Sequence, residues 1–162
     1  MIDKKDLECA FGGQLSIEGF KKKSSSWYRH AAGVLQLVNL QRSSFGMQFY
    51  VNLCFVPDGM EVEGMPTPKE HKCPIRIRLT SAFPEQREMI ETLFDLEGSN
   101  IGDAERLEKL ARLTSELILP FLASARDLPS LRQTLTKGAF DKGLVEVAAR
   151  RHLGVLNPSS PQ

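Results

Sequence analysis

The chain has 162 residues, 41% hydrophobic and 25% charged, which is enough apolar material for one buried core and excludes disordered and fibrous classes. Lys and Arg number 21 against 20 Asp and Glu, and the resulting +1 charge excludes a global field that steers nucleic acid or anionic lipid. Cys9, Cys54 and Cys73 are odd in number and lack tight spacing, so they read as free thiols of a reducing compartment rather than a disulfide framework.

The opening Met-Ile-Asp-Lys-Lys-Asp carries acidic residues where a secretion signal is basic, and no apolar run suffices for a membrane span. A cytoplasmic protein is expected. Leu7, Ala10 and Phe11 share a helical face, with Asp3 as N-cap and Gly12-Gly13 as the stop, which predicts a short first helix over 3–11. Lys21-Lys22-Lys23, three serines and Trp27-Tyr28 then lead into a sheet.

Residues 47–55 alternate strictly. Met47, Phe49, Val51, Leu53 and Phe55 point inward and Gln48, Tyr50, Asn52 and Cys54 outward, the pattern of a half-buried antiparallel strand. Val34–Arg42 is rich in β-formers, and Ser43-Ser44-Phe45-Gly46 supplies the turn of a hairpin between the two. Ile75, Ile77 and Leu79 alternate with Arg76 and Arg78, giving a third strand, with 27–30 or 60–63 as a fourth. The 16 residues between Pro57 and Pro74 contain Gly59, Gly64, Pro66 and Pro68, which predicts an irregular, mobile connection.

The remainder reads as helical. Pro84 suits a first helical position, and Asp103 caps a longer helix that Pro120 should kink or end. Asp127 caps a helix to about Leu135, and Asp141 opens a last one through Leu153, closed by Gly154. The expected architecture is a single α+β domain over 1–154 with a flexible tail over 155–162. An antiparallel sheet of three to five strands spans about 27–79, between an N-terminal helix and a helical C-terminal half, with helices packed on one sheet face.

Gly19-Phe20-Lys21-Lys22-Lys23 followed by an aromatic and Arg29, a strand ending Gln41-Arg42-Ser43, and Glu70, Cys73, Ile75, Arg76, Arg78 and Leu79 in that order resemble the bacterial domain-of-unknown-function family numbered 4304. Leu119-Pro120-Phe121-Leu122 and a closing helix ending Leu153-Gly154 are similar to that family too, although Ala82-Phe83-Pro84 departs from its tryptophan-rich character. The resemblance implies no activity; by analogy it implies an immunity-like or other partner-binding role.

Pro57-Asp58 followed by Glu70-His71-Lys72 matches the loose pattern of magnesium-dependent nucleases, in which two carboxylates hold the cation and a lysine steadies the attacking water. That chemistry places the second half on a strand, whereas here it lies in a Pro-rich connection, where a solvated charged loop with Glu61 and Glu63 is the simpler account. His71 and Cys73 are too few for a zinc site, and neither a nucleophile elbow nor a phosphate loop is present. No cofactor is expected. Lys21, Lys22, Lys23, Trp27, Tyr28 and Arg29, with Arg76 and Arg78, have the composition of a single-stranded nucleic-acid platform, against which stand the near-neutral charge and the use of lysine to protect sheet edges.

Gln36, Gln48, Tyr50, Asn52, Arg76 and Arg78 offer amides, a phenol and guanidiniums on what the alternation makes the polar sheet face. Tyr and Arg concentrate at interface hot spots, and strand residues lose little entropy on binding. A non-enzymatic module that binds a protein partner is the leading expectation, with the magnesium-dependent hydrolase of Asp58, Glu70 and Lys72 or a single-stranded nucleic-acid binder as alternatives.

Overall fold

The computed structural model describes residues 1–155, in which one helix precedes a sheet and a run of helices follows it. Helix α1 (Lys4–Ile17) starts at a reciprocal cap: Asp3 accepts from the Asp6 N–H at 2.9 Å, and the Asp6 side chain accepts from the Asp3 N–H at 3.0 Å. It does not stop at Gly12-Gly13. A Cβ on Gly12 would lie 2.7 Å from the Trp27 ring, so glycine here permits close contact between helix and indole instead of ending the helix. Leu7, Phe11 and Leu15 form its buried face.

Among the described residues six strands pair antiparallel in chain order: β1 (Lys21–Lys23), β2 (Ser26–Ala31), β3 (Val34–Arg42), β4 (Phe49–Pro57), β5 (Ile75–Arg78) and β6 (Leu144–Val145). The expected three to five strands over 27–79 are thus exceeded at both edges. β1 is an edge of three exposed lysines, and β6 is a two-residue strand from the helical half that pairs with Ile75 and Arg76. Of the two candidate fourth strands, 27–30 lies in β2, while 60–63 is irregular.

Register fixes the faces. Trp27 pairs with Val38, Val38 with Leu53 and Leu53 with Ile77, so these four form one row across the sheet. The row shares a core with Leu7, Phe11 and Leu15 of α1 and with apolar residues of the later helices, and the Phe11 and Trp27 ring centroids are 4.8 Å apart. The opposite face is not uniformly polar. Leu35, Leu37, Cys54 and Val56 form a second buried cluster there with Cys73, because β3 is apolar at both parities and β4 carries Cys54 and Val56 outward. Burial of each such aliphatic side chain contributes about 1.5–3 kcal/mol.

After β5 come α2 (Leu79–Ala82), a single 3₁₀ turn at Pro84–Gln86 and α3 (Arg87–Phe94). α4 (Asp103–Leu113) runs through a π turn at Thr114–Ile118 into α5 (Leu119–Ala123), so Pro120 does not end the helix. Proline cannot donate to the carbonyl four residues back and crowds it; the wider turn just before Pro120, closed by the Leu119 N–H on the Thr114 carbonyl, provides the room. α6 (Leu128–Thr136) is capped by Asp127, which accepts from the Ser130 N–H at 2.8 Å.

No helix starts at Asp141. The chain turns into β6, and α7 (Val147–Leu153) follows, ending at Gly154 with φ +69°. The expected tail lies, from residue 156 onward, outside the described residues. Among the described residues no helix is long and apolar enough to cross a membrane.

Candidate functional site

The segment between β4 and β5 decides which part of the second sheet face meets solvent. It is irregular, as its glycines and prolines predict, but it is tied down along its length. The Tyr28 hydroxyl donates to the Pro68 carbonyl at 2.9 Å, Lys23 Nζ donates to Thr67 Oγ1 at 2.9 Å, and Lys72 pairs with Glu63 at 2.9 Å. At its start, His30 Nε2 lies 2.8 Å from Asp58 Oδ1 and His152 Nε2 donates to the Asp58 carbonyl at 2.7 Å. Met60 and Val62 pack on the second cluster, completing its cover.

Beyond this cover, β4 and β5 present Tyr50, Asn52, Arg76 and Arg78 together. Arg78 is the register partner of Asn52, and Arg76 that of Cys54. The Arg78 guanidinium carbon stands 4.2 Å from the centroid of the Tyr50 ring, a cation–π contact worth about 0.5–1 kcal/mol at an exposed site. Its Nη2 donates to Gln41 Oε1 at 3.2 Å, and Asn52 Nδ2 donates to the same oxygen at 3.0 Å and to Asn39 Oδ1 at 3.1 Å. Asn39 Nδ2 in turn donates to Ser26 Oγ at 3.0 Å. This amide relay crosses β2, β3 and β4 and gives Arg78 a fixed acceptor, a contact that favours this conformation and so lowers the entropy lost when a ligand engages it.

Two grooves flank the Tyr50–Arg78 stack. One, of about 340 Å³, is lined by Asn52, Arg76, Arg78, Gln41, Lys142 and Glu70 among others. Lys142 is brought there by Gly143, where a Cβ would fall 2.5 Å from the Arg76 carbonyl oxygen and 2.8 Å from Ile77 Cβ, so only glycine lets the strand leading to β6 approach so closely. The other, of about 540 Å³, is lined by Tyr50 and Gln48 on one side and by Glu88, Glu91 and Asp95 on the other. Gln48 Nε2 donates to the Glu91 carbonyl at 3.3 Å, tying the start of β4 to α3.

Of the six residues the sequence nominates, four therefore form one strip and Gln48 stands at its edge. Gln36 does not belong to it. Its register partner is Phe55, so it faces the helices, where it is fully buried. Its Nε2 donates to the Leu122 and Ala125 carbonyls at 2.7 and 3.1 Å, and its Oε1 accepts from Arg29 Nη2 at 2.8 Å. The signal was in the sequence, since Gln36 shares its parity with Val34, Val38 and Leu40. Gln41 and Lys142 are the residues of the strip that sequence reading passes over: Gln41 lies at a strand end, and Lys142 is distant in the chain.

Asp58, Glu70 and Lys72 have different neighbours: Asp58 meets His30, Lys72 meets Glu63, and Glu70 lines the groove beside Arg76. Among the described residues, no group of three or more His, Cys, Asp and Glu side chains could hold a metal ion. The residues of the nucleic-acid platform are divided by the sheet. Trp27 and Arg29 face the helices, Trp27 buried and Arg29 stacked 4.5 Å from the Phe20 ring, while Arg76 and Arg78 lie on the other face.

The family model described as Domain of unknown function (DUF4304) matches residues 11–124. The match covers β1 to β5 and so contains Tyr50, Asn52, Arg76 and Arg78. It leaves out Lys142, β6 and the closing helix, although the sequence resemblance extends to Leu153-Gly154. No curated protein and no solved structure matches the chain.

Proposed function

The chain belongs to the DUF4304 family, whose description names no activity, and from its geometry we propose that it is a protein-binding module docking through the strip Tyr50, Asn52, Arg76 and Arg78. The observation that carries this reading is the fixing of Arg78 between the Tyr50 ring and the Gln41–Asn52 relay. A guanidinium and a phenol stacked at a groove have the residue types of a hot spot, and their mutual contact reduces the side-chain freedom left for association to remove. The folded 58–73 segment adds a rim beside them. Such a module acts by occupying its partner's surface.

The test is affinity capture from the native host with the wild-type chain and with a Tyr50→Ala/Arg76→Glu double variant as baits. One stoichiometric partner should be retained by the wild type and lost by the variant, while a Lys137→Glu control, at an exposed residue that lines neither groove, retains it. Recovery of no partner, or equal recovery by both baits, removes the reading.

A further inference from the structure

The strip has an opposite charge on each side of one ridge. On the Arg78 side, Arg76, Arg78 and Lys142 line the smaller groove against a single carboxylate, Glu70. On the Tyr50 side, Glu88, Glu91 and Asp95 line the larger groove; Arg87 lies 3.0 Å from Glu91, and the buried Arg106 guanidinium donates to Ser99 Oγ of the same wall and interacts with the Asp95 charge. The smaller groove so keeps an excess of two positive charges and the larger groove an excess of one negative charge. The boundary between them is the stacked pair itself, with Tyr50 lining the acidic groove and Arg78 the basic one.

A surface that contains both halves of its own complement across a single ridge meets the requirement of an isologous contact. A twofold axis through the ridge lays the basic groove of one copy on the acidic groove of the other, and does so twice. Resting on the reading of this strip as a protein-docking surface, we propose that its partner is a second copy of this chain, paired about a twofold axis at the Tyr50–Arg78 stack. Glu88 and Glu91 of each copy face Arg76, Arg78 and Lys142 of the other. Asp95 is the exception among the acidic groups, because its carboxylate is already engaged by the Gly98 and Glu97 N–H groups at 2.7 and 3.2 Å and shapes the groove wall. The charges lie at the surface, so the association falls with salt as the Debye length shortens from ~30 Å to ~3 Å.

The symmetry gives the test its form. Sedimentation velocity of the wild-type chain at low salt, over concentrations from micromolar to sub-millimolar, should show a monomer–dimer equilibrium that weakens at least tenfold at high salt. Arg76→Glu/Arg78→Glu and Glu88→Lys/Glu91→Lys should each be monomeric. An equimolar mixture of the two should regain a one-to-one heterodimer, because both contacts of the pair are then again between opposite charges. Circular dichroism establishes that each variant is folded; where a reversal does not fold, Arg76→Gln/Arg78→Gln and the wild-type salt series decide instead. A wild type that stays monomeric throughout overturns the inference, as does a dimer indifferent to the substitutions or a folded pair that fails to associate on mixing. A monomeric wild type that still captures a host partner through Tyr50 and Arg76 overturns this inference alone and leaves the docking strip standing.

Discussion

The Arg78 guanidinium carbon lies 4.2 Å from the centroid of the Tyr50 ring, and its Nη2 donates to Gln41 Oε1 at 3.2 Å, so one side chain is held both by a ring beneath it and by an amide beside it. The two residues are two register steps apart on neighbouring strands, Arg78 opposite Asn52 and Tyr50 next on the same face, a diagonal that long side chains span. The stack should be measurable without any partner. A double-mutant cycle of Tyr50→Leu and Arg78→Met, followed by urea unfolding, should give a coupling of about 0.5–1 kcal/mol. Additive effects of the two substitutions would mean that the ring does not hold the guanidinium.

Gln36 separates stability from binding. Gln36→Leu takes the amide donor from the Ala125 carbonyl, leaves the Leu122 carbonyl with the Ala125 N–H at 3.2 Å, and removes the acceptor of Arg29 Nη2. The expected loss is about 1–3 kcal/mol, the cost of an unsatisfied buried group. Capture of the partner by the folded fraction should stay unchanged. A stable variant with impaired capture would return Gln36 to the binding surface.

How much of this was legible beforehand follows from where each signal resides. The β4 alternation, the Ile75–Arg78 strand and the Asp3 and Asp127 caps are local patterns, and the structure has them at or within two residues of their expected places. The face of Gln36 was legible by parity, yet the apolar residues at both parities of β3 mask it. Other features are set by tertiary contact: Gly12-Gly13 reads as a stop until Trp27 is placed against it, and β6 is two residues long, too short for any period. The cover over Leu35, Leu37 and Cys54 depends on a segment whose sequence resembles a solvated loop, and Lys142 joins the strip only through a chain crossing at Gly143.

The thiols report on that cover. Cys9 is exposed, whereas Cys54 and Cys73 are fully buried between the sheet and the 58–73 segment. In the native state one thiol should react rapidly with an aromatic disulfide reagent, and all three should react after denaturation. Three fast thiols in the native protein would mean that the cover is open.

Burial, and after it the neighbouring Cys73 thiol, pushes the Cys54 thiol well above its ordinary value of 9.0. The unfolded chain therefore releases this proton near that value while the native chain retains it. Native stability from this group is complete below about pH 9 and declines as pH rises beyond it. Denaturant titrations from neutral to alkaline pH should show Cys54→Ala losing less stability over that range than the wild type. Equal losses would contradict the protonated, buried thiol.

Occupation of the strip of Tyr50, Asn52, Arg76 and Arg78 by another protein is read directly by site-specific photocrosslinking. A benzophenone amino acid placed at position 50 of the full chain in the native host should yield a discrete protein adduct upon irradiation, and the same group in place of the exposed Lys137 should not. Absence of an adduct from position 50, or the same adducts from both positions, would contradict it.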